Sequence, residues 1–132
     1  MTTTQFLIDT PLAAVERTAP HFAEVHFKPG AVLTVAGIAA ILTAREVMGR
    51  VGPHQALIVF PAEETNFDMT MITADHYKGR PVEEFTSSVA WVTRNEYNER
   101  YVRLYFSYFP SPVPGAISKE EAEARTWLQE RG

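Results

Sequence analysis

The sequence contains no cysteine. Disulfides, thiolate metal sites and a thiol nucleophile are therefore excluded, and the composition fits a reducing compartment. Concentrated positive charge is missing too: 12 Lys and Arg are scattered among 16 Asp and Glu, giving a net charge of −4. Binding to a phosphate backbone needs clustered basic residues, so no nucleic-acid partner is expected. No run approaches the roughly 20 apolar residues of a membrane span, and MTTTQFLIDT has neither a basic region nor an apolar core of signal-peptide length. The expectation is a soluble cytoplasmic protein without membrane insertion. There are no internal repeats or low-complexity tracts, and the lone turn at Gly79 lacks the several glycines of a phosphate loop. Ser87 and Ser88 lack the Gly-x-Ser-x-Gly elbow of a hydrolase nucleophile. His21, His26, His54 and His76 fall in no metal-ligand spacing. His76, with Asp75, Glu63 and Glu64, is read as structural or solvated, so neither a metal nor a cofactor is expected.

What is present is enough apolar material for one folded unit. At 132 residues and 45% hydrophobic composition, residues 1–132 are expected to form a single domain without staples. Residues 1–20 should contribute an edge strand or a loose arm around Phe6, Leu7 and Ile8, with Pro11 to Pro20 a polar, turn-bounded stretch. Phe22 to Lys28 alternates, with Ala23, Val25 and Phe27 on one face and Glu24, His26 and Lys28 on the other. Thr34 can cap a helix from Val35 to Arg50, with Gly49 and Gly52 as stop signals. Within it Arg45 lies between Ile38, Ile41, Leu42 and Met48 and is read as a snorkelling side chain rather than an anion clamp. Gln55 to Phe60 is a continuous apolar run and should be a central strand. Ala62 to Phe85 carries weaker signals: a short helix from about Asn66 to Tyr77 and turn chemistry from Lys78 to Pro81.

The most informative stretch is Ser88 to Pro110. Val89, Ala90, Trp91 and Val92 form a β-prone run, with Trp91 expected in the core. Thr93 and Asn95 are both competent caps, and Thr93 with Glu96 has capping-box spacing. The helix that follows, over 95–109, carries an apolar arc of about half its circumference, including Tyr97, Tyr101, Tyr105 and Tyr108, until Pro110 stops it. Most of this arc should be core, yet each tyrosine hydroxyl needs a partner or water, which places part of the face at a boundary. Val113 to Ile117 reads as a last strand, and Ser118 with Glu121 as a second capping box opening the final helix.

Strand and helix alternate from Phe22 onward, which predicts an α/β fold with a mostly parallel, open sheet of four or five strands. Right-handed crossovers between strands laid side by side put the helices mainly on one face, leaving the other open. In element order, and in the segments SSVAWVTRN, FSYFPSPVP and SKEEAEARTWL, residues 21–131 resemble the STAS domain and more closely its SpoIIAA-like bacterial relatives. The resemblance implies a non-enzymatic regulatory module that binds a protein partner or a second copy of itself. Regulatory members carry a phosphorylated Ser in an Asp-x-Ser motif after a central strand; here FPAEETNFD has no Ser, and Thr65 sits beside Glu63 and Glu64. The stretch Glu63, Glu64, Thr65 and Asn66 is therefore expected to be a partner-facing surface that phosphorylation does not switch. The tyrosines of helix 95–109 are the second candidate surface. The alternative is a binding module for a small apolar ligand or lipid, in a pocket beside that helix.

Overall fold

A computed structural model describes residues 6–131. The part of the expected N-terminal arm that falls on residues 1–5 lies outside the described residues. The six strands are β1 (Phe6–Asp9), β2 (Ala13–Ala19), β3 (Phe22–Phe27), β4 (His54–Val59), β5 (Thr86–Val92) and β6 (Gly115–Ser118). They lie side by side in chain order, β1–β2–β3 antiparallel and β3–β4–β5–β6 parallel. The helices are α1 (Val35–Met48), α2 (Thr70–Thr73), α3 (Val82–Phe85), α4 (Glu96–Tyr108) and α5 (Glu121–Arg131). None of them is long and apolar enough to cross a membrane.

The sheet has six strands, not four or five, because the stretch expected as a turn-bounded loop is β2. Pro11 and Pro20 lie just outside its ends, where a missing amide donor breaks no ladder, and Ala13 and Val15 alternate onto the buried face. Helices α1 and α4 share one face, as right-handed crossovers require: both pack on the side of the sheet presenting Val15, Val25, Ile58 and Val89. The opposite face is not left open. Helix α5 follows the last strand and is no crossover, so handedness does not bind it; Ala124 and Leu128 cover Leu57, Val59, Ala90 and Val92. This explains two sequence patterns at once. β4 and β5 are apolar on both faces because both are covered, whereas β3 keeps a wet face, where Glu24 meets His26 at 2.9 Å and Arg125 of α5 at 3.0 Å. Those two contacts hold the Glu24 carboxyl at about 2, the His26 hydrogen bond being the larger influence.

Thr34 caps α1 as expected, accepting from the Gly37 amide at 3.0 Å. Gly49 ends the helix in ordinary right-handed backbone, and its need for glycine is steric: a Cβ there would collide with the Phe85 Cβ. Neither expected capping box forms. Asn95 caps α4, accepting from the Asn98 amide at 2.8 Å, while Thr93 turns to the neighbouring strand and donates its hydroxyl to the Ser118 carbonyl at 3.2 Å. Ser118 is itself the last residue of β6, too far upstream to cap a helix that begins at Glu121. Between Thr93 and Asn95 the chain turns through Arg94 in the left-handed region, φ 72°. The expected helix from Asn66 to Tyr77 is a single turn, α2, in an otherwise irregular segment.

Candidate functional site

Beneath α1 and α4, against the sheet, lies a cavity of about 60 Å³. Its floor is Val25, Phe27, Ile58 and Trp91 from the strands, with Phe60 just past the end of β4; α1 contributes Ile38, Ile41 and Leu42, and α4 contributes Tyr101, Val102, Tyr105 and Phe106. The irregular segment between β4 and β5 closes the remaining side with Met71, His76 and Tyr77. These positions follow from the local sequence. The strand residues are the inward members of period-two runs, and Tyr101, Val102, Tyr105 and Phe106 are the i, i+1, i+4, i+5 stripe of α4.

The four tyrosines of α4 divide between two environments. Tyr101 and Tyr105 turn inward; burial raises both phenols, Tyr105 to about 12, and the Tyr105 hydroxyl accepts from the His76 amide at 2.9 Å. Tyr97 and Tyr108 stay outside, 39% and 63% exposed, with Leu104 at 42% between them. Spacings of seven and four residues align Tyr97, Leu104 and Tyr108 along one solvent-facing stripe.

The acidic loop also divides. Glu63, Glu64 and Asn66 are exposed, but Thr65 is buried, so Thr65 does not belong to a surface that a partner reads. The cause is Asn98, which sequence reasoning overlooked. Its side chain is 1% exposed and accepts from the Thr65 amide at 2.9 Å while donating to the carbonyls of Thr93 at 3.0 Å and Glu63 at 3.2 Å. An asparagine on the inward side of an amphipathic helix was the available signal, since a buried amide must find backbone partners.

Arg45 departs furthest from expectation. It does not snorkel: it is 1% exposed and lines the cavity. Segment 61–85 folds over it, with Tyr77 beside it in the cavity lining and the Phe85 ring 5.6 Å from the guanidinium carbon. Its Nη2 donates to Thr86 Oγ1 at 2.6 Å and its Nε to His54 Nε2 at 3.4 Å. Among the described residues no carboxylate pairs with it; the neighbouring Glu46 pairs with Arg80 instead, at 3.3 Å. Burial lowers the Arg45 pKa and raises that of Tyr77. Burial, then the Arg45 charge, drives His54 down to about 3, so the ring is neutral. With Nε2 accepting from Arg45, the His54 proton sits on Nδ1, which is buried without a partner. His76 has the reverse arrangement. Its Nε2 donates to the Met71 carbonyl at 2.9 Å, leaving Nδ1 a buried acceptor with no donor, and burial lowers its pKa.

His76 and Asp75 do not converge with Glu63 and Glu64 on a metal site: among the described residues no group of three or more His, Asp or Glu could hold an ion. In comparisons with known proteins, no family model, curated protein or solved structure matches this chain.

Proposed function

We propose that this chain is a non-enzymatic binding module whose working site is the cavity beside α4, taking a small, largely apolar ligand. The carrying observation is that well-packed helices and strands stop short of filling the space between Ile41, Ile58, Trp91 and Tyr105, although domain interiors pack to crystal density. A single cation in an apolar lining suits holding a molecule better than transforming one. A second reading has its own observation. The exposed stripe of Tyr97, Leu104 and Tyr108 supports the interaction module that the STAS-like resemblance implies, with a protein partner or a second copy against α4. Exposed Glu63, Glu64 and Asn66 would border such a contact.

Sedimentation combined with native mass spectrometry of protein purified from its native host separates the two. A monomer carrying a small molecule supports the cavity. A dimer without one, dissociated by Leu104→Glu, supports the α4 surface and overturns the first reading.

A further inference from the structure

We infer that the ligand of this cavity is a small organic anion, a short-chain monocarboxylate, with its carboxylate on Arg45 and its hydrocarbon part among the apolar residues of α1, α4 and the sheet. The inference rests on the proposed use of the cavity and adds the charge and size of what enters it.

Charge comes from Arg45. A guanidinium removed from water loses far more solvation than neutral hydrogen bonds return, so buried arginines are ordinarily paired with carboxylates. Here the neighbours are neutral: a threonine hydroxyl, a neutral imidazole, a phenol and an aromatic face. The hydrogen bonds to Thr86 and His54 use two of the five guanidinium N–H groups. Planar N–H pairs match a carboxylate in two-point fashion. The position of Arg45 in the last turn of α1 supplies some compensation from the helix dipole, about half an elementary charge at most, and therefore not a full counter-charge.

Size comes from the cavity. At about one water-sized sphere per 10–15 Å³, a volume of about 60 Å³ admits a body of roughly four to six heavy atoms. Isobutyrate has that size and carries one carboxylate on a branched apolar body.

The test compares sodium isobutyrate with isobutyramide, its neutral isostere, by methyl chemical shifts of the full chain at pH 7. Isobutyrate is expected to move the Ile38, Ile41 and Ile58 methyls and to bind at least ten-fold more tightly than the amide. In Arg45→Met that preference should vanish while the amide still binds. Equal affinity for acid and amide in the unmodified protein, a comparison needing no variant, would overturn the anionic assignment and leave the cavity reading intact. A preference retained in Arg45→Met would do the same. If neither probe moves those methyls, the cavity reading falls, and this inference with it.

Discussion

Replacing Asn98 with alanine should detach the loop after β4 from α4 and destabilise the fold. The side chain makes three neutral hydrogen bonds of good length, to the Thr65 amide and to the Thr93 and Glu63 carbonyls. At about 1 kcal/mol net for each, their joint loss is about 3 kcal/mol, since the burial of Thr65 leaves its amide without water as a replacement. For a chain of this length that corresponds to a fall of roughly 10 °C in melting temperature. Asn98→Asp keeps the acceptor for Thr65 but turns a carboxylate toward two carbonyl oxygens, and should fare no better. The helix cap is untouched in both, because Asn95 accepts from the Asn98 backbone amide. Urea melts give the magnitude, and hydrogen exchange at the Thr65 amide gives the location. A loss below about 1 kcal/mol, or Thr65 protection unchanged in Asn98→Ala, would refute the clamp.

Acid should destabilise the protein in two stages. His54 falls from 6.5 to about 3 on folding, so between those values the unfolded chain binds more protons and stability drops as pH falls, by up to about 4 kcal/mol. Glu24, at about 2 against 4.5, adds a loss in the same direction only below pH 4.5. His54→Gln should therefore flatten the stability slope between pH 6.5 and 5, and an unchanged slope there would contradict the buried neutral ring. Arg45→Met should leave the ligand-free protein at least as stable, because removing an unpaired buried charge offsets the lost hydrogen bonds; denaturant melts showing a loss above about 3 kcal/mol would make Arg45 a structural cation. Gly49→Ala should cost about 2 kcal/mol through displacement of Phe85, read in the same melts, and a neutral result would show that α3 gives way freely. Trp91→Ala should cost about 3 kcal/mol, the low end for an emptied aromatic site, since Trp91 is half-buried against Phe60 and Phe106; less than about 1 kcal/mol would remove it from the core.

The parallel half of the sheet was legible because its signals are local and periodic. The alternation of Glu24, His26 and Lys28 reported a face left partly wet, and the unbroken run to Phe60 reported a strand covered on both sides. What periodicity could not convey was which element does the covering. Arg45 occupies the apolar side of a helix in either event, and only the fold of segment 61–85, which has no regular period, decides that it is sealed. Strand β2 hid behind two prolines that mark its limits rather than a loop. The cap signals were real residues in competent positions, but Thr93 and Ser118 were claimed by strand pairing instead. The aromatic helix carried both of its roles in one arc, and the split between inward Tyr101 and Tyr105 and outward Tyr97 and Tyr108 required the position of its neighbours.

The central claim is that the space between Ile41, Ile58, Trp91 and Tyr105 receives a ligand, and xenon under pressure tests it without assuming any polar chemistry. Xenon enters dry apolar cavities and shifts the methyls that line them. The account predicts saturable shifts confined to the methyls that line the cavity, those of Val25, Leu33, Ile38, Ile41, Leu42, Ile58, Met71 and Val102. It also predicts their loss in Ile41→Phe, where the larger side chain fills the space. Absence of saturable shifts in the unmodified protein, or shifts that persist unchanged in Ile41→Phe, would contradict it.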